Sequence, residues 1–127
     1  MAYPLAISQA YAQEDIVKAL QDSVLTASTE EEKVDLLNSI AVSSFEYDLN
    51  LSHSAAEEAK ALCQEIAYHK GVAHANRWLG KIFNTRGKTP ESLASFMEAL
   101  RAYEELEDSV QLADIYKNLA NVYSNNG

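Results

Sequence analysis

Three histidines and one cysteine are the side chains of this sequence best suited to hold a metal ion or attack a substrate. His69 and His74 are five residues apart, so they would not share one face of a helix. Cys63 lies six residues before His69, and no third or fourth ligand follows at a spacing that zinc sites use. Cys63 also stands beside Leu62 and Ile66 on an apolar stripe, which predicts a buried, inert thiol. We therefore expect no metal and no cofactor.

Carboxylates are plentiful, but their positions do not favour catalysis. They cluster in three runs, at 30–32, 57–58 and 104–108. Acid/base catalysis needs two carboxyl groups whose pKa values are pushed apart inside a cleft, whereas these runs fall on polar helix faces and at helix ends. The sequence also lacks a glycine-rich phosphate loop and a nucleophile elbow. It predicts a protein that is not an enzyme.

Composition narrows the class of partner. The 127 residues suit one domain, and ten Lys and Arg against nineteen Asp and Glu give a formal charge of -9. Such an acidic surface repels phosphate backbones, so we expect no nucleic-acid binding. No stretch approaches the ~20 apolar residues of a membrane span. Only four glycines and two prolines argue against an all-β design, which needs many more turns.

Apolar residues recur at three- and four-residue steps in six segments, which predicts an all-α domain over residues 14–127. Thr29 and Glu32 form a capping-box pattern for the second helix, Ser52 or Ser54 would cap the third, and Gly71 is expected to end the third in the left-handed conformation. The predicted helices span about 14–27, 30–47, 53–69, 72–86, 90–107 and 110–125.

Residues 1–13 allow more than one interpretation. They form either an N-terminal lead-in or the remnant of a signal peptide, because Ala10-Tyr11-Ala12 has the small-x-small form of a cleavage site. Against a signal peptide, the segment lacks a basic start and its apolar run is broken by Pro4. A cytoplasmic or a periplasmic location therefore depends on which alternative holds.

A pattern of residues in the sequence recurs after about forty residues. Leu79-Gly80 with Phe83 reappears as Leu119-Ala120 with Tyr123, and Ile40-Ala41 is a fainter copy upstream. The spacing is 39 residues from Ile40 to Leu79 and 40 from Leu79 to Leu119. Self-similarity at a fixed period of this length is typical of stacked helical arrays, most of which bind other proteins.

These residues resemble the tetratricopeptide repeat (TPR). Its first helix has a large residue at the fourth place, leucine at the seventh, a small residue at the eighth and an aromatic at the eleventh. Ser44 replaces the aromatic in the earlier unit, and Asn76 departs from the large fourth residue. The resemblance implies antiparallel helix-turn-helix units in a right-handed superhelix, an α-α solenoid. The longer period is similar to the TPR regions of bacterial signalling proteins, ahead of histidine kinase, nucleotide cyclase or helix-turn-helix regulator modules.

The resemblance also implies a peptide-binding groove, because the fifth, ninth, twelfth and thirteenth positions of each first helix line the concave surface of such arrays. Basic and amide groups can hold an extended peptide by its backbone and its carboxylates, so the expected partner is a protein or peptide of acidic character. The expected groove residues are Arg77, Lys81, Asn84, Thr85, Lys117, Asn121, Ser124 and Asn125, with Asn38 and Val42 from the first unit.

The C-terminal unit carries one further expectation. It supplies a first helix without a second helix to cover it, which suggests an array truncated in its middle. Leu112, Ile115, Tyr116, Leu119, Val122 and Tyr123 are too many for one buried stripe. Exposed apolar surface of that kind usually binds a partner, and a homodimer through the C-terminal helix would supply one. The alternative to a sensory or regulatory binding module is therefore a structural spacer or dimerisation element with no ligand of its own.

Overall fold

The computed structural model describes residues 5–126, with side chains described over 12–125, and this part of the chain is helical without any strand. The all-α prediction is therefore confirmed. None of these helices is long and apolar enough to cross a membrane. The six helices are α1 (Leu5–Leu25), α2 (Glu30–Ser44), α3 (Leu49–Ile66), α4 (His69–Thr85), α5 (Thr89–Glu105) and α6 (Ser109–Asn126).

The start of α2 follows the predicted capping box. Thr29 Oγ1 accepts from the backbone N–H of Glu32 at 3.1 Å, and Glu32 Oε2 accepts from the N–H of Ser28 at 2.8 Å. Two N–H groups that the helix itself cannot pair are satisfied in this way. Glu30 and Glu31 add negative charge to the first turn, where the helix dipole favours it.

Three predicted helix starts are wrong, and one of them is that of α4, which begins at His69 instead of about residue 72. Helix α1 begins at Leu5 instead of about residue 14, so residues 5–13 of the predicted lead-in are helical, while residues 1–4 lie outside the described part. Helix α3 begins at Leu49, because the side chain of Asp48 accepts from the N–H of Leu51 at 3.0 Å. Ser52, one of the two expected caps, is instead buried inside α3.

The role expected of Gly71 was also wrong. Ala67, and not Gly71, takes the left-handed conformation after α3, with φ of 55°, and Gly71 lies inside α4. Space explains the glycine: a Cβ there would lie 2.5 Å from the Cys63 sulfur and 2.6 Å from a Val34 methyl. Gly71 therefore permits close helix packing rather than a turn.

Helix packing follows chain order. Each helix contacts the next one, and α2 contacts α4 as α4 contacts α6. One apolar core joins α1, α2, α3 and α4 around Val34, Ile40 and Leu79. A second core joins α4, α5 and α6 around Phe96 and Ile115. Helix α4 belongs to both, so it connects the two halves of the molecule.

Two equivalent hydrogen bonds join helices across the repeat. The Ser52 hydroxyl donates to the carbonyl oxygen of Ala41 at 2.6 Å, which fixes α3 on α2. Forty residues on, the Ser92 hydroxyl donates to the carbonyl oxygen of Gly80 at 2.7 Å, which fixes α5 on α4. All four residues are buried. The repeat in the sequence therefore corresponds to a repeated helix-to-helix contact.

At Gly80, α4 and α5 approach each other closely. A Cβ at this position would lie 2.6–2.8 Å from three ring carbons of Phe96, which is itself 1% exposed. The small residue at Gly80 thus allows the large Phe96 on the facing helix. At the equivalent positions of α2 and α3, Ala41 and Ala56 are both small and fully buried.

We expect Gly80→Ala to lower the free energy of unfolding by about 1–3 kcal/mol, since the buried Phe96 ring must move. In a Phe96→Ala background the same change should instead raise it by about 1 kcal/mol, because alanine favours helix more than glycine does. Urea denaturation of the four proteins measures this cycle. The same loss in both backgrounds would contradict the contact.

Asn76 of α4 is fully buried, and neither polar atom of its side chain has a hydrogen-bond partner. Leu37 occupies the position 39 residues earlier and is also buried. Because an unpaired buried amide is unfavourable, Asn76→Leu should raise the free energy of unfolding by about 1 kcal/mol or more. Asn121→Leu, the same change at an exposed site, should not stabilise the protein. A lower melting temperature for Asn76→Leu would show that the amide has an essential partner.

Candidate binding cleft between α2 and α4

A cleft of about 400 Å³ lies where α2 and α4 face each other. We call it the α2–α4 cleft. Two of its residues, Asn38 and Val42, were expected in the groove from the sequence. Its lining residues are Asp35, Asn38, Ser39, Val42, Ser43, Lys70, His74 and Trp78.

Asn38 is 7% exposed, and its amide is only partly satisfied. Its Nδ2 donates to the carbonyl oxygen of Gly71 at 3.2 Å, which links α2 to α4. Its Oδ1 is buried and has no hydrogen-bond partner. An unpaired buried acceptor costs about 1–3 kcal/mol, so a donor that reached it would gain that much.

Asp35 carries the negative charge of the cleft. The Tyr68 hydroxyl, from the turn between α3 and α4, donates to its two carboxylate oxygens at 2.9 and 3.2 Å. Burial, together with the hydrogen bond and charge of Asp35, raises the pKa of Tyr68 to about 12. The tyrosine therefore stays protonated and holds the carboxylate in place.

Helix α4 contributes a basic stripe. Lys70, His74, Arg77 and Lys81 follow one another at steps of four, three and four residues, so they lie along one side of the helix. Among the described residues neither lysine of this stripe forms an ion pair. The side chain of Trp78 lies beside the stripe and lines the cleft.

Lys81 packs on aromatic rings. Its Nζ lies 4.0 Å from the ring centre of Trp78 and 5.3 Å from that of Phe45, and the two rings meet edge to face. Burial, followed by the charge of Arg77, lowers the pKa of Lys81. The electron-rich ring face attracts the ammonium group, and contacts of this kind are worth about 0.5–2 kcal/mol.

His74 is held by Tyr103 of α5. The tyrosine oxygen lies 2.8 Å from Nδ1, and burial raises the pKa of Tyr103 to about 12, so this hydroxyl keeps its proton. Burial, then the charges of Lys70 and Arg77, lower the pKa of His74. The imidazole is therefore neutral near pH 7, and its proton is on Nε2 when the hydroxyl donates to Nδ1.

The residues expected in the groove fall into two groups. Arg77 and Lys81 are half-buried and already bound within the protein: Arg77 Nη1 donates to Gln111 Oε1 at 2.7 Å, and its Nη2 lies 3.6 Å from Asp114 Oδ2. These bonds place Arg77 against the first turns of α6. Asn84 is half-buried at the end of α4, whereas Lys117, Asn121 and Asn125 of α6 are exposed.

Sequence reasoning missed most of the cleft: Asp35, Ser39, Ser43, Lys70, His74 and Trp78. A signal for some of them was present, because Asp35 and His74 are 39 residues apart, as are Ser39 and Trp78. They occupy equivalent positions of consecutive units, beside the expected groove positions. Extending the repeat comparison from apolar to polar positions would have identified those two pairs.

The nucleophile and metal-ligand candidates lie away from this cleft or apart from one another. Cys63 is fully buried, and burial raises the pKa of its thiol to about 11. The predicted inert thiol is consistent with this environment, since the reactive form is the thiolate. Within residues 12–125, no three His, Cys, Asp or Glu side chains are grouped so as to hold a metal ion.

Comparison with known protein families, with curated proteins and with solved structures finds no match. A function for this chain must therefore be argued from the α2–α4 cleft and the surfaces around it.

The lowered pKa of His74 predicts a pH dependence of stability. Its pKa is 6.5 in the unfolded chain and lower in the folded one. The unfolded state therefore binds more protons below pH 6.5, and the folded state loses stability as the pH falls through that value towards the folded pKa. His74→Gln should show a smaller loss of stability between about pH 7.5 and pH 5. Chemical denaturation at each pH measures it, and His69→Gln, at an exposed histidine of α4, is the control.

Proposed function

We propose that this chain is a non-enzymatic interaction module that binds an extended, acidic segment of another protein along α2, α4 and α6. We further propose that it is a TPR-like array forming the sensory or regulatory part of a larger bacterial signalling protein. The observation that carries the binding proposal is the basic stripe of α4, which borders a polar cleft in a protein with a net charge of -9.

Support for the TPR-like arrangement comes from the repeated contacts. The bonds from Ser52 to Ala41 and from Ser92 to Gly80 recur at the period of the sequence. The first helices of the proposed units, α2, α4 and α6, also contact one another in order. A stack of helix pairs has this neighbour relationship.

The cleft offers complementary groups for a peptide. Lys70 can pair with a carboxylate, because it forms no ion pair among the described residues. When the Tyr103 hydroxyl donates to Nδ1 of His74, the imidazole can donate its Nε2–H to a peptide carbonyl. Together these groups suit an acidic strand that presents both its side chains and its backbone.

Binding fits the local chemistry better than catalysis. The Ser39 hydroxyl donates to the carbonyl oxygen of Asp35 at 2.9 Å, which is a bond within its own helix rather than to a base. Nδ1 of His74 is occupied by Tyr103 instead of a carboxylate. The arrangement therefore lacks the nucleophile-to-base contact that covalent catalysis uses.

One observation favours the alternative of a structural or dimerisation element. Tyr116 and Tyr123 of α6 are 56% and 64% exposed, although Ile115 and Val122 beside them are fully buried. The expectation that part of the apolar set of α6 is exposed is thus confirmed. This surface can serve association whether or not the cleft binds a peptide.

Trp78 is the single tryptophan of the chain and lines the cleft, so its fluorescence reports binding there. We expect a glutamate-rich octapeptide, blocked at both ends, to change this fluorescence with saturation, and its glutamine counterpart to bind at least tenfold more weakly. Raising the salt concentration from about 0.05 M to 0.5 M should weaken binding of the acidic peptide, because salt screens exposed charges.

Lys70→Gln should weaken this binding at least fivefold, because it removes an unpaired cation from the cleft wall. Lys18→Gln is the matched control, since Lys18 is exposed on α1 and outside the cleft. Equal affinities for the acidic and the glutamine peptides, or equal losses in both variants, would contradict the proposal.

A further inference from the structure

One side of α6 faces solvent with an alternation of small and large apolar residues. Ala113, Tyr116, Ala120 and Tyr123 are all exposed, at steps of three, four and three residues. They therefore form a single stripe, which we call the outer face of α6. The opposite side of the same helix is buried through Ile115 and Val122.

The internal repeat identifies the outer face as a surface that packs against a helix. Ala120 is equivalent to Gly80 and to Ala41, with shifts of 40 and 79 residues. At Gly80 the ring of Phe96 and the hydroxyl of Ser92 bring α5 onto α4, and at Ala41 the hydroxyl of Ser52 brings α3 onto α2. In α6 the equivalent position has no such helix within the described residues.

We infer that the outer face of α6 binds the same face of a second copy, with the two helices antiparallel about a two-fold axis at residue 118. In that register Ala113 lies opposite Tyr123 of the other copy, and Tyr116 lies opposite Ala120. Every small residue then meets a large one, as Gly80 meets Phe96 within the chain. A two-fold interface uses the same patch on both copies, and this stripe is complementary to itself only when antiparallel.

Charge favours the same orientation. The end of α5 and the turn that leads into α6 carry four carboxylates that are exposed or half-buried: Glu104, Glu105, Glu107 and Asp108. A parallel pair would bring eight carboxylates together at one end. An antiparallel pair separates the two turns by roughly the length of the helix, about 25 Å at 1.5 Å per residue, which exceeds the screening length at physiological salt.

The exposed area indicates how tight the dimer should be. Aromatic side chains bury about 150–250 Å² each, and Tyr116 and Tyr123 have more than half of their surface exposed. Four such tyrosines give the dimer roughly 400–500 Å², to which the alanines and the helix backbone add. The total lies below the ~1,200 Å² of standard specific interfaces, which predicts a weak dimer that forms only at high protein concentration. This inference does not depend on peptide binding, because no residue of the outer face lines the α2–α4 cleft.

Sedimentation equilibrium of the full chain over roughly 10 µM to 1 mM should show a reversible monomer–dimer equilibrium. Ala120→Glu should weaken dimerisation at least tenfold, because it places a charge at the centre of the apolar contact. Asn125→Glu adds the same charge to the same helix outside the stripe, and it should leave the dimer within about twofold of wild type. Circular dichroism checks that both variants keep the helical fold. A strictly monomeric wild type, or equal effects of the two variants, would overturn the inference.

Disulfide trapping tests the register. A mixture of Tyr116→Cys and Ala120→Cys copies should cross-link on oxidation, because these positions face each other. Tyr116→Cys alone should cross-link much less, since its two copies would be displaced by about 6 Å along the helix axis, in addition to the distance between the helices. The native Cys63 is fully buried, so it should not compete. Efficient cross-linking of Tyr116→Cys alone would indicate a parallel pair, and loss of the dimer in Ile16→Lys would indicate contact through α1. Either result would overturn the proposal.

Discussion

The hydroxyl groups of two serines set how closely the helices of this protein approach each other. Ser52 and Ser92 each donate to a carbonyl oxygen of the preceding helix, at Ala41 and Gly80. A carbonyl inside a helix is within reach of a second helix only when the residue that bears it is small. The hydrogen bond therefore requires the small residue. Because Gly80 has no side chain, Phe96 can pack directly over it.

Helix α4 packs into both apolar cores and also lines the cleft, and its composition reflects both roles. It contributes Leu79 and Ile82 to one core and Ala73 to the other, so most of its circumference is buried. Its remaining side carries the basic stripe and lines the cleft. Asn76 on α4 and Asn38 on the helix facing it both have buried amide atoms without a hydrogen-bond partner among the described residues. Polar groups that reduce stability are common where a surface serves function rather than packing.

The elements of this fold could be predicted from sequence because each depends on a local signal. Six apolar periodicities gave six helices, and the capping box at Thr29 gave the start of α2 correctly. One error came from tertiary packing: Gly71 looks like a helix terminator, but it is a contact point for Cys63 and Val34, which come from two other helices. The start of α1 was missed because the apolar spacing used to place it begins at Ile16, although the helix extends back to Leu5.

The candidate site was less predictable for the same reason. The groove positions inferred from the TPR resemblance included Asn38 and Val42, which do line the cleft. Arg77 and Lys81 were expected as free cations, yet their neighbours Gln111, Asp114 and Trp78 already bind them. A sequence gives the type and spacing of a charge but not its partners, and the partners decide whether it is available to a ligand. Lys70, which has no anionic partner among the described residues, is for that reason a stronger candidate than either.

The cleft and the outer face of α6 would reinforce each other if both proposals hold. A dimer formed through α6 carries two α2–α4 clefts, one in each copy, and neither cleft is built from residues of the outer face. A partner with two acidic segments could then occupy both, and the second binding event would become intramolecular. Its effective concentration would be set by the linker between the segments, so weak binding at each cleft could add up to firm attachment. Dimerisation and ligand binding, which compete as explanations of this protein, are therefore compatible as physical properties of one array.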